Sequence, residues 1–510
     1  MNVVLISTYE LGHQPFGIAS PAAWLQAAGA RVMCLDLAVQ SFAPELVEDA
    51  GLVALYLPMH TATRLAGPVI EQVRALNPRV HLCCYGLYAP VNEPFLRGLG
   101  IQTILGGEFE SGLLSLYRRI AEVDEGRRTK DERRRTKDER RRTKDEGRMT
   151  KDEGRTTNDE RRMTNNERRT TNDTMLSSIV HRPSSQSEPR ISLAKQVFLA
   201  PDRNGLPALT AYAHLDLADG HQRTVGYTEA SRGCKHLCRH CPIVPVYGGR
   251  FRVIQRDVVL EDVRRQVAAG AQHITFGDPD FFNGPGHAIP LVRALHAEFP
   301  DLSYDVIIKV EHLLKHADLL PVLRDTGCVL VTSAVEAVDD AILERFDKHH
   351  TRADFARAVG LLRATGLALN PTFVAFTPWT TRASYLDFLR AIWELDLVEH
   401  VAPIQYAIRL LIPAGSRLLE LTDVRALIGP FAEAALAYPW AHPDPGMDQL
   451  YRDVMRAVRV RRSRHEAFQA VWRLAKAALA TPTQERDDFV TSQQRPARKP
   501  IPRMSEPWYC

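Results

Sequence analysis

Short unbroken apolar runs alternate with helix-length amphipathic stretches in two separate blocks of this 510-residue chain, and no other feature restricts the fold as much. In residues 1–123 the runs are "NVVLIST", "RVMCLDLA", "LVALYLPM", "VHLCCYG" and "IQTILGG". None has a polar alternate face, so each predicts a strand buried on both sides. "SPAAWLQAAGA", "TRLAGPVIEQVRALNP" and "EFESGLLSLYRRIAEV" have helical spacing. Doubly buried strands joined through helices make parallel sheets. The block is predicted to be an α/β, doubly wound parallel sheet whose ligands meet the carboxyl ends of the strands. Those ends carry Thr8–Gly17, Pro58–Thr61, Gly86 and Gly106–Glu108.

The alternation resumes at 220–425 on a larger scale. Strands at "TVGYTEA", "HITFGDPD", "YDVIIKV", "CVLVTSAVE", "ALNPTFVAF" and "HVAPIQYAIRLLI" alternate with helices such as "DVVLEDVRRQVAAG" and "ADFARAVGLLRATG". Six such units predict a partial (β/α)6 barrel. Residues 426–485 read as helical, and 486–510 as a polar, Pro-rich, extended tail ending in Cys510.

Between the blocks, 124–190 contains a heptapeptide repeat with threonine at 129, 136, 143, 150, 157, 164 and 171. A seven-residue step suggests a coiled coil, but no two positions per heptad are apolar. Such a segment cannot bury enough surface to offset its ordering entropy, and it predicts a disordered linker. Residues 127–173 hold 18 Lys and Arg against 12 Asp and Glu. That local +6 exceeds the whole chain's +4, so the remainder is near −2 and no nucleic-acid partner is expected of the folded blocks. No run is long and apolar enough for a membrane span, and the first residues lack the pattern of a secretory signal; the cytoplasm is the expected compartment.

Eight cysteines in such a length do not make a disulfide scaffold. Cys34, Cys83 and Cys84 sit in apolar strand runs and read as small buried hydrophobes. Cys234, Cys238 and Cys241 differ: "SRGCKHLCRHCP" spaces them C-x3-C-x2-C in the loop after the first barrel strand. Zinc would need a fourth ligand from His236 or His240. Three thiolates could instead clamp three corners of an iron–sulfur cubane.

That spacing in that place resembles the radical S-adenosylmethionine (SAM) superfamily. The resemblance implies a [4Fe–4S] cluster on Cys234, Cys238 and Cys241, with SAM on the fourth iron. It further implies reductive cleavage to a 5′-deoxyadenosyl radical that acts on an unknown substrate, fed by an electron donor such as ferredoxin or flavodoxin. His240 stands where the superfamily often has an aromatic residue. The strand-end residues Gly277, Asp278 and Asp280 are expected near the SAM amine. Lys309 is expected near its carboxylate, Ser333 and Glu336 near the ribose, and Thr372 with "FTPW" near the adenine; Arg409 ends the sixth strand. Either aspartate could instead cap the next helix.

"GHQPFGIASPAAWL" makes the first block similar to the Rossmann-like, cobalamin-binding domain that precedes many radical SAM cores, although the D-x-H-x-x-G signature of a ligating histidine is absent at His13. Cobalamin-dependent methyl transfer is one alternative implied; a non-catalytic zinc-binding scaffold is the other. "CKHLCRHCPIVPVYGGRFRV", "DPDFFNGPGHA", "KVEHLL", "NPTFVAFTPWTT" and "IRLLIPAGSRLL" resemble the CUAEP/CCAEP-tail radical SAM proteins, some of them selenoproteins. Their tails carry Cys-Cys or Cys-selenocysteine before Ala-Glu-Pro. "SEPWYC" stops where the second residue would come, implying that Cys510 is a redox thiol and that the product continues with selenocysteine.

Overall fold

The computed structural model describes residues 1–125, 136, 139, 190–460, 462–479 and 501–506. Nearly all of the repeat linker, and Cys510 with it, lies outside the described residues. Met1–Leu114 with Pro189–Cys510 forms one compact unit and Ser115–Glu188 a second; everything below concerns the first.

The N-terminal block is the expected parallel sheet, of strands β1 (Asn2–Ser7), β2 (Arg31–Asp36), β3 (Leu52–Tyr56), β4 (His81–Tyr85), β5 (Thr103–Gly107) and β6 (Ile191–Ser192), in the order β2-β1-β3-β4-β5-β6. Val3 to Ile6 and Leu52 to Leu55 are wholly buried, which is why their sequences show no polar face. Cys83 and Cys84 are buried with them. β6 comes from beyond the repeat and was not foreseen; two residues leave no periodicity to detect. The strand order reverses between β1 and β3, which opens a crevice at their carboxyl ends.

The second block curls five parallel strands into a half-barrel: β8 (Gln222–Thr228), β11 (His273–Phe276), β12 (Ser303–Ile307), β13 (Cys328–Glu336) and β14 (Ala368–Phe373). The antiparallel strands β7 (His214–Asp216) and β15 (Arg503–Met504) extend its β8 edge. A separate hairpin pairs β9 (Ser231–Gly233) with β10 (Phe251–Val253). The helices between strands are capped by their sequences: Thr351 and Thr381 open Arg352–Thr365 and Arg382–Glu394 with capping boxes, each cap worth about 1 kcal/mol.

Two expectations are corrected. The sixth strand is a single parallel bridge, Phe376 to Arg409, preceded by a 3₁₀ turn at Pro403–Ala407. Pro403 has no N–H to give a ladder, and the Gln405 side chain accepts from the Phe373 N–H at 2.8 Å, ending the sheet at β14. The region 426–485 is helical only in part, in Pro445–Arg459 and Arg464–Ala477; extended bridges join Ile428 to Trp440 and Ala432 to Ala437. In the tail, β15 hydrogen-bonds to β7 and Tyr9 donates to Glu506. Among the described residues, no helix is long and apolar enough to cross a membrane.

Candidate active site

The cysteine loop begins where β9 ends, and Gly233 makes the turn possible. Its φ is +76°, and a Cβ there would lie 2.4 Å from the Tyr247 ring and 2.5 Å from the Arg250 carbonyl. Only glycine fits. Gly233→Ala is expected to cut iron content after reconstitution and to lower the melting temperature, each measured against wild type.

Distant elements then pin the loop. Asp278 accepts from the Ala230 N–H at 2.8 Å and the Ser231 hydroxyl at 2.5 Å. Asn283 Oδ1 accepts from the Lys235 N–H at 3.1 Å. Arg239 donates its N–H to the Phe346 carbonyl at 2.9 Å, and Arg417 reaches the Leu237 carbonyl at 2.6 Å. Cys234, Cys238 and Cys241 consequently face one cavity of about 660 Å³ at the carboxyl ends of the barrel strands. Burial pushes the Cys234 thiol up to about 11, and Cys241 upward too, Cys238 adding to the burial effect. Three thiols on one loop facing one cavity make a donor set that fits an iron–sulfur cluster. Cys234 also lies with His236 and Asp280 in a group whose ligand atoms are within 4.8 Å of one another. A lone metal there would leave Cys238 and Cys241 unused.

Around the loop, Asp280 lies 2.7 Å from His312 Nδ1 and 3.4 Å from His236 Nε2, and it also caps the Phe282 N–H at 3.1 Å. Burial raises its carboxyl, but the two histidines hold it below its usual range. Lys309 Nζ stands 3.0 Å from His236 Nδ1 and 3.3 Å from Glu311. Glu336, at φ +71°, takes His240 at 3.1 Å and Lys348 at 3.3 Å. Against its burial, Lys348 and His240 bring its carboxyl down to about 2.

Gly277, Asp280, Lys309, Glu336, Thr372 and Arg409 line the cavity. Ser333 does not: Thr332 and Ala334 face inward, and strand alternation turns Ser333 to the other face. Asp278 also stands off the cavity, its oxygens spent on the loop. At Gly277 a Cβ would meet the Tyr227 hydroxyl at 1.9 Å, so the close approach there is by Tyr227. Arg409 is bound to Asp448 at 2.7 Å and lies over Trp440 at 3.7 Å. Phe376 packs into the core on Tyr385, so "FTPW" offers no stacking surface from that ring.

Sequence reasoning missed the buried charges behind the loop. Arg232 donates to both oxygens of Glu110, at 3.0 and 2.8 Å, and to Glu229 at 2.5 Å; Glu108 lies 3.7 Å away. The signal available was "SRGC", an arginine beside the first cysteine. His13 is buried and stacked on Tyr227 at 4.8 Å; burial lowers its pKa to about 4.

Three thiols facing one cavity at the strand ends of a half-barrel form a donor set suited to a metal cluster. Residues 228–380 match the Radical SAM superfamily model, whose members use a [4Fe–4S] cluster and SAM. The hopanoid C-3 methylase of Methylococcus capsulatus is 27% identical over 149 residues, covering 28% of each chain. The tRNA-2-methylthio-N(6)-dimethylallyladenosine synthase of Desulfosudis oleivorans is 27% identical over 186 residues, 34% of this chain and 38% of that one. The chain thus spans about a third of the curated relatives it matches. The fold is shared with the radical SAM methyltransferase TsrM from Kitasatospora setae, solved with tryptophan and aza-SAM, at TM-score 0.60, 16% identity and coverage of 91% and 90%. It is also shared with the cobalamin-dependent radical enzyme OxsB, at TM-score 0.59, 13% identity and coverage of 88% and 66%.

Proposed function

We propose that Cys234, Cys238 and Cys241 hold three irons of a [4Fe–4S] cluster, that SAM takes the fourth, and that a substrate is modified in the barrel cavity. The observation that carries this is the convergence of three thiols from one pinned loop on a single ligand-sized cavity. Bound there, cluster and SAM supply reductive cleavage to methionine and a 5′-deoxyadenosyl radical able to abstract hydrogen. The chain binds and shields. Asp280 and Lys309, at the ends of β11 and β12, offer opposite charges to the methionyl ammonium and carboxylate. Glu336, fixed by His240 and Lys348, and Thr372 offer oxygens to the ribose. Arg409 serves as wall, and a one-electron donor such as ferredoxin or flavodoxin completes the system. We divide the chain into a cobalamin-binding-like domain at 1–123 and a radical domain at 220–425. Anaerobic reconstitution is expected to give a brown protein that cleaves SAM under dithionite. A colourless protein holding zinc overturns the proposal.

Cobalamin-dependent methyl transfer is a second reading, favoured because the β1/β3 crevice opens on the same cavity through Glu10, Leu11 and Pro58–Thr61. His13, stacked on Tyr227 at 4.8 Å, and His60, whose Nε2 meets the Ala435 carbonyl at 2.7 Å, line that crevice and would be among the residues around the cofactor. Cobalt retained after reconstitution with cobalamin and gel filtration supports this reading; its loss removes it.

A further inference from the structure

Glu10, in the loop after β1, lines the cavity at 5% exposure, and its Oε2 is buried without a hydrogen bond. Among the described residues, no hydrogen-bond donor reaches that oxygen. The nearby cations are committed elsewhere. Arg203 holds Asp262 through Nε and Nη2 at 2.8 and 2.9 Å and gives Nη1 to Gln14. Arg232 serves Glu110 and Glu229. Burial, then the charges of Glu229 and Asp36, hold the Glu10 carboxyl well above its usual range, outweighing the two arginines. A buried carboxylate without a partner is costly. The folded chain supplies no countercharge for it.

Two aromatic side chains, Tyr56 and Tyr227, line the same cavity as this carboxyl. Burial first, then the charge of Glu10, pushes both phenols upward. An unpaired acid in a cavity walled by aromatic rings is the chemistry that receives an organic cation. Cys234, Cys238 and Cys241 line that cavity too.

We propose that Glu10 recognises a positively charged nitrogen of the substrate, an alkylammonium or guanidinium group that enters the cavity as the missing counter-ion. This rests on the cavity being the place of radical chemistry and adds a substrate class, an organic cation.

The test is calorimetric binding of n-butylammonium, n-butylguanidinium, n-butanol and butyrate to the reconstituted holoenzyme. One of the cations is expected to bind at least about tenfold more tightly than butanol, as a charge-assisted hydrogen bond in a buried site implies. In Glu10→Gln that preference collapses to less than about twofold while butanol binding persists. Equal binding of cations and alcohol by wild type, or a preference that survives in Glu10→Gln, overturns the proposal. Iron content and SAM cleavage on the same wild-type preparation report the radical reading separately: their absence sinks that reading, whereas cation preference is read from binding alone.

Discussion

Cys238→Ala is expected to emerge from anaerobic reconstitution almost colourless, with iron reduced to background and SAM cleavage lowered by more than about 100-fold. Loss of an outer partner of a metal ligand already costs 10- to 100-fold, and a direct ligand costs more. Cys238 is the most buried of the three thiols in the loop, so water cannot readily take its place. Cys328→Ala is the control. That thiol is equally buried but lies within β13, where its Sγ faces the Leu330 carbonyl at 3.5 Å, and the variant is expected to keep its iron. Iron analysis with visible spectra decides the matter: a Cys238→Ala protein that retains a full cluster would refute the assignment of the three cysteines.

The cysteine triad was legible because its spacing and its place after a strand are local facts. The parallel sheets were legible because a strand buried on both faces has to be apolar throughout, as Val3 to Ile6 are. What failed was phase and partnership. Ser333 stands at a strand end as expected, but period-two alternation puts Thr332 and Ala334 in the cavity instead. Asp278 and Asp280 are two residues apart with opposite employment, the first bracing the loop and the second facing His236 and His312. The sixth strand was lost to Pro403, a local feature the sequence shows, and to the Gln405 side chain accepting from Phe373, a long-range contact it does not. Glu10 lay within the strand-end stretch Thr8–Gly17 but nothing local singled it out, and Glu110 was invisible because its partner Arg232 comes from the other side of the repeat segment.

Arg232→Ala is expected to lower the melting temperature more than any other single substitution of a charged residue in this unit. The guanidinium is buried between Glu110 and Glu229, with Glu108 beside them and the rings of Phe109 and Phe198 at 4.7 and 5.2 Å. Burial alone would push the Glu110 carboxyl up, yet Arg232 and the Ser20 hydroxyl at 2.7 Å hold it below the usual range. Removing one partner of a buried ion pair leaves the other uncompensated, which costs about 3–5 kcal/mol. The sign with pH separates this from lost packing. A carboxyl whose folded pKa is depressed contributes stability above its unfolded pKa, near 4.3, and that contribution disappears as pH falls through the folded value. In Arg232→Ala the depression of Glu110 is gone, and Glu229, which burial already raises in the wild type, rises further. The deficit against wild type should then be larger at pH 8 than at pH 5, because the orphaned carboxyls take up protons as pH falls. Arg232 also stands two residues before Cys234, so the same variant should hold less iron at pH 8. Denaturation curves at the two pH values test the claim. A deficit unchanged across that range would assign Arg232 to packing against its aromatic neighbours, and the buried acids would then need another source of compensation.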